Sequence, residues 1–191
     1  YMIKNIIFFI LNFFSQIIAY FYILKWKLGF NYKDQAISIS VIKGKLGYKV
    51  RSNFYQRTLN KCGNKLSVHY GAYIAYPQTV IGNRCSIEEY SVISLAEIGN
   101  DVIIASNVVL LSGSKHHEID DLSLKFHDSN IKMTGITLGD NIWIGVNSVI
   151  MANIASGTII GAGSVLTKSI VIENCIYAGI PAKYVRNRGV L

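Results

Sequence analysis

The chain has 191 residues, 51% of them hydrophobic, which is enough for one sizeable domain with its own core. Its three cysteines, Cys62, Cys85 and Cys175, are scattered, which excludes a disulfide framework and a zinc motif and makes a reducing compartment the default. The formal net charge of +8 is uneven: residues 1–65 hold eleven Lys or Arg against one acid, Asp34, whereas residues 66–191 hold eight basic and ten acidic residues. That basic front suits a solvated surface, anionic lipid headgroups or a phosphorylated substrate. No nucleic-acid motif accompanies it, so nucleic acid is not an expected partner.

Met2 behind Tyr1 reads as the native start. Residues 2–24, MIKNIIFFILNFFSQIIAYFYIL, are eighteen apolar residues in twenty-three. The length suits a membrane-spanning helix, and no small-residue cleavage site marks a signal peptide. At helical spacing the polar residues Lys4, Asn5, Asn12, Ser15 and Gln16 fall within an arc of about 120°. A helix lying in the membrane interface, or packed on its own protein or on a second copy, needs such a stripe; a lipid-facing span does not. Lys25, Trp26 and Lys27 end the run as an interface anchor would. Residues 28–65 read as a basic, partly helical lead-in, with a turn at Gly63 and Asn64. The first region is therefore 1–65, apolar then basic and mostly helical.

From residue 66 onward a different period takes over. Aliphatics recur at Ile74, Ile81, Ile87, Ile93, Ile98, Ile104 and Leu110, then at Leu138, Ile144, Ile150, Ile154, Ile160 and Leu166. Steps of about six predict a hexapeptide β-helix: each hexad gives one short strand and a turn, and three hexads make one triangular coil. Gly, Asn and Asp fall at the corners, as in IGNDVI, LGDNIW and IGAGSV, where tight turns are cheapest. A β-sandwich with glycine-rich turns does not account for the fixed period. Ile150 to Ile154 is a four-residue step, so one coil is expected to be short on one side. The hexads stop between Leu110 and Ile136, where a loop at 112–135 carries His116, His117 and His127.

The segments ITLGDNIWIG, IIGAGSVLTKSI and AGIPAKYVRNR, in that order and spacing, resemble the left-handed parallel β-helix acyltransferases. More narrowly they resemble the maltose/galactoside and polysaccharide O-acetyltransferases, over roughly residues 66–188. The fold class expected is mainly β: a left-handed parallel β-helix over 66–191, with an N-terminal helical segment and a basic C-terminal tail. The resemblance implies acetyl-CoA as co-substrate, no metal, and a homotrimer with its sites between prisms.

It also implies which residues act. A histidine at the start of the loop serves as general base, and the pattern of a histidine three residues before an aspartate selects His117, with Asp120 downstream. His116 is the alternative, because the spacing before the histidine varies. Asp120 either orients the loop or caps a turn. Val146, Ala162 and Thr167 match positions that meet pantetheine, and Lys168, Lys183 and Arg186 match those that meet nucleotide phosphates. Trp143 walls the acceptor or thioester channel, or packs between subunits. TKSIVIEN lacks the usual prolines and LSLKF replaces a proline-bearing segment, which leaves the acceptor open. A γ-class carbonic anhydrase shares the β-helix, but His69 and the spacing from His116 or His117 to His127 do not match its zinc ligands. A catalytically silent hexapeptide protein would not need the histidine and tail motifs.

The expected function is O-acetylation of a sugar hydroxyl in a bacterial surface polysaccharide or its lipid-linked precursor. The alternatives are N-acetylation of an amino sugar, or acetylation of a small free molecule. The expected partners are a carbohydrate acceptor, further copies of the chain, and the membrane surface through residues 2–24. The expected place is cytoplasmic, at the inner face of the cytoplasmic membrane.

Overall fold

The computed structural model describes residues 2–114 and 117–189. Three helices come first: α1 (Met2–Lys27), α2 (Tyr32–Ser40) and α3 (Gly44–Thr58). Gly29, at φ +97°, turns the chain out of α1, and the Asn31 side chain caps α2 by accepting from the Lys33 and Asp34 amides at 2.8 and 3.3 Å. The chain then enters the coils. The first is β1 (Lys61–Cys62), β2 (Ser67–Val68) and β3 (Tyr73–Ile74); the second is β4 (Val80–Ile81), β5 (Ser86–Ile87) and β6 (Val92–Ile93). The third is β7 (Ala96–Ile98), β8 (Ile103–Ile104) and β9 (Val109–Leu110), and the fourth, after the loop, is β10 (Ile136–Leu138), β11 (Trp143–Ile144) and β12 (Val149–Ile150). The fifth has β13 (Ile159–Ile160) and β14 (Val165–Leu166). The chain finishes in β15 (Cys175–Ala178) and β16 (Lys183–Asn187).

These strands form the three parallel faces of a left-handed β-helix: β1-β4-β7-β10, then β2-β5-β8-β11-β13-β15, then β3-β6-β9-β12-β14. β16 adds antiparallel to β15. The hexad aliphatics fill the prism in register. Ile87, Ile104, Ile144 and Ile160 stack in one column, and each is 1% exposed or less. The four-residue step leaves the fifth coil one residue on the first face, where Ile154 bridges Leu138 and Ile170. The coils begin at Lys61, ahead of residue 66, because Cys62 and Val68 stand where later coils carry Ile or Leu.

The helices close the amino-terminal end of the prism. Val50, Phe54 and Tyr55 of α3 are fully buried, and the Tyr55 hydroxyl accepts from the Ile74 amide at 3.0 Å. Arg51 is buried beside them and donates to four backbone carbonyls, among them Val68 at 2.8 Å and Ile42 at 2.9 Å. Gly47 permits this approach, since a Cβ there would lie 1.7 Å from the Ile42 oxygen. Helix α1 packs along α3 with its polar stripe inward. Ser15 and Ala19 are fully buried, and Asn53 Nδ2 donates to Ser15 Oγ at 3.0 Å. The side chains of Lys4 and Asn5, the other end of that stripe, lie outside the described ones.

Candidate functional site

Corner geometry assembles the site. Between the second and third faces, Gly71, Tyr90, Asn107, Asn147 and Gly163 all adopt positive φ, from 58° to 76°. Just before each of them stands an outward residue. Backbone bonds from Tyr90 to Tyr70, Asn107 to Glu89, Asn147 to Ser106 and Gly163 to Val146, of 2.8–3.1 Å, stack these residues. Tyr70, Glu89, Ser106, Val146 and Ala162 therefore form one outward ridge, with a rise of about 4.8 Å per coil. Val146 and Ala162 are both exposed on it. Their coils approach closely, because a Cβ at Gly145 would lie 2.5 Å from the Ala162 nitrogen.

The next ridge, after the third face, carries the histidine loop. Ser112, Asn153, Thr167 and Ser169 line a cavity of about 370 Å³ at the loop's root, with Lys132 beside them. Ser112 is buried there, and among the described residues its hydroxyl has no hydrogen-bond partner. Thr167 and Lys168 belong to this ridge, not to that of Val146 and Ala162, because β14 runs between the two. Lys183 and Arg186 lie on β16, at the carboxy-terminal edge of the second face.

His117 is exposed on the loop. Its Nδ1 lies 3.1 Å from the Phe126 carbonyl oxygen, and its ring meets the Phe126 ring edge-on at 6.1 Å. A carbonyl can only accept, so Nδ1 is the donor in this contact, and in the neutral ring Nε2 is the acceptor. Ser114, Ile119, Phe126 and His127 share a cavity of about 490 Å³ with His117. The Asp120 amide donates to Glu118 Oε1 at 2.9 Å, a local turn contact. His116 lies outside the described residues.

Trp143 stands on the outer surface of the second face, 52% exposed and in register between Ile103 and Ile159. Ile103 is 45% exposed, so this face presents an apolar stripe to whatever covers it. Among the described residues, no three His, Cys, Asp or Glu side chains converge on a common point.

One cluster was not legible in the sequence. His69 Nδ1 lies 3.1 Å from Glu89 Oε1, and Ser106 Oγ donates to Glu89 Oε2 at 3.1 Å. Its own backbone amide, then the His69 ring, hold the Glu89 carboxyl below the usual glutamate range. The three residues come from successive coils, on or beside the ridge that carries Val146. Numbering the corners coil by coil would have aligned them.

No family model matches the chain. Galactoside O-acetyltransferase of Escherichia coli K12 is 35% identical over 108 residues, 54% of this chain and 48% of that protein, so the chain spans about half the length of that relative. The Saccharomyces cerevisiae protein named "Putative acetyltransferase YJL218W" is 30% identical over 142 residues, 71% of this chain and 70% of that one. A solved structure of galactoside acetyltransferase in complex with coenzyme A superposes with a TM-score of 0.68 at 25% identity, over 81% of this chain and 78% of that one.

Proposed function

The chain belongs to the hexapeptide-repeat acetyltransferases, and from that premise we propose that it moves the acetyl group of acetyl-CoA onto a sugar hydroxyl of a bacterial surface polysaccharide or its lipid-linked precursor. The observation that carries this reading is the His117 ring, whose Nδ1 is engaged by the Phe126 carbonyl so that Nε2 is free to accept a proton.

In the proposed reaction, Nε2 takes the acceptor's hydroxyl proton as the oxygen attacks the thioester carbonyl carbon. The C=O π bond opens to a tetrahedral oxyanion, which a fixed donor stabilises. The oxyanion collapses, the carbon–sulfur bond breaks, and the coenzyme A thiolate leaves with the proton that His117 took. No acyl-enzyme is needed. Val146, Ala162 and Thr167 offer small or apolar contacts to the pantetheine arm, and Lys168, Lys183 and Arg186 offer charge to the phosphates. Trp143 then lies in a cleft between prisms, which serves both of its expected roles.

Three copies around an axis form the proposed assembly, and the cytoplasmic face of the membrane is the proposed setting. The basic first 65 residues support that setting. Purified chain with acetyl-CoA and a panel of glycans and lipid-linked sugars tests the reading, with products weighed by mass spectrometry. The expected product is an ester that mild base removes. A base-stable acetyl group would make the chain an N-acetyltransferase, and no transfer to any sugar would overturn the reading.

A further inference from the structure

Helix α1 is turned against the usual expectation for an amphipathic helix on a folded domain. Among its described side chains, Ser15 faces the protein and most of the phenylalanines face away. Phe9 is 71% exposed, Phe21 58%, and Phe13, Ile17 and Leu24 are at least half exposed. At 1.5 Å per residue the 26-residue helix is about 39 Å long, so this apolar strip runs far along one side. The window Ile7–Lys27 is apolar enough to cross a membrane, with a mean hydropathy of 2.0. Yet the helix is held lengthwise. Lys49 Nζ sits 3.9 Å from the centre of the Phe8 ring, Asn53 bonds Ser15, and the Arg57 guanidinium lies 5.2 Å from the centre of the Tyr20 ring. A crossing helix would have to shed α3 or draw Lys45, Lys49 and Arg57 into hydrocarbon, where lysine and arginine are costly.

We propose that α1 is an in-plane anchor in a bilayer leaflet rich in anionic phospholipid. Its Phe/Ile strip is immersed, its polar stripe stays docked on α3, and Lys45 and Lys49 take a lipid phosphate. The seat for that lipid is the groove of about 640 Å³ between the amino-terminal ends of α1 and α3, lined by Ile7, Phe8, Leu11, Lys45, Tyr48 and Lys49. Its wall is apolar where acyl chains would lie, and two ammonium groups border it. Charge complementarity selects the occupant. A second copy would bring the same basic surface against this one, whereas an anionic leaflet neutralises it. The inference deepens the proposed membrane setting and does not depend on the transfer chemistry.

Flotation of the full chain with vesicles decides the matter. It is expected to float with vesicles of phosphatidylcholine plus phosphatidylglycerol and not with phosphatidylcholine alone. Raised salt or Lys45→Glu/Lys49→Glu is expected to weaken binding at least about tenfold. Phe9→Asp/Phe13→Asp is expected to abolish it, with the helical circular dichroism kept as a check on folding. A tag ahead of Met2 is expected to remain open to protease outside sealed vesicles. Protection of the tag would mean a span, and binding indifferent to lipid charge would remove the phosphate seat. Failure to float, with Phe9→Asp/Phe13→Asp reducing the oligomer's mass, would make the strip a contact between copies. Transfer to a soluble sugar, measured alongside, separates the two readings. Activity without flotation sinks only the anchor, and flotation without activity sinks only the enzyme.

Discussion

His117 Nδ1 lies 3.1 Å from the backbone carbonyl oxygen of Phe126, nine residues further along the same loop. The contact holds the ring in one tautomer and points the other nitrogen's lone pair away from the backbone. His117→Ala is therefore expected to lower turnover by about 10²–10⁴-fold. Coenzyme A affinity should change little, because the residues proposed to hold it lie on other elements. Steady-state kinetics and calorimetry with coenzyme A check both parts. Near-full activity in His117→Ala, with His116→Ala inactive, would move the base back by one residue.

Val146 and Ala162 stand on the ridge before the third face, whereas the histidine loop springs from the ridge after it. A site that uses both is completed most simply by a neighbouring prism. Sedimentation is expected to give three chains. His117→Ala and Ala162→Trp should each be inactive alone, yet mixed and reassembled chains should recover part of the activity. Each restored site would join an intact His117 from one chain to an intact Ala162 from another. A fully active monomer, or no recovery from mixed trimers, would rule out the shared site.

The hexad columns were readable because a six-residue period can bury Ile104, Ile144 and Ile160 in only one way. Neighbours across coils were harder to read. Glu89 lies 20 residues after His69 and 17 before Ser106, and the loop widens the next interval further. No constant offset reveals such contacts. The stripe on α1 was also legible, but not its direction. Hydropathy alone would have set the phenylalanines against the domain. Asn53 and Arg57 of α3 instead meet Ser15 and Tyr20, and a buried hydroxyl needs such a partner.

The thiols should be inert. Burial pushes the Cys62 thiol up to about 11 and raises that of Cys85 as well. Raised pKa values favour the neutral form in the fold. The matching stability is fully present below the free thiol's pKa and is lost as pH rises toward 11. At neutral pH, native protein is expected to resist thiol alkylation at both residues, and Cys62→Ser should keep its turnover. Rapid labelling of Cys62 at neutral pH, with matching loss of activity, would reopen a cysteine nucleophile.

Arg51 offers the sharpest test of how the helices are attached. It is 2% exposed, and among the described residues it meets no carboxylate. Its Nη1 donates to the carbonyls of Ile39, Ser40 and Ile42 at 3.3, 3.2 and 2.9 Å, where α2 ends; Ile39 O also accepts from the Ile42 amide and Ser40 O from the Gly71 amide. Its Nε donates to Val68 of the first coil at 2.8 Å. One guanidinium thus satisfies the end of α2, meets the negative end of its dipole, and fastens α3 to the β-helix. Arg51→Met keeps much of the volume but takes the donor from the Ile42 and Val68 carbonyls, and is expected to cost about 3 kcal/mol in denaturant unfolding. Lysine cannot reach both directions with one ammonium, so Arg51→Lys should recover only part of that loss. Because the group is buried, salt should change the cost little. An unchanged unfolding midpoint in Arg51→Met would mean that the apolar contacts of Val50 and Phe54 hold the helices without it.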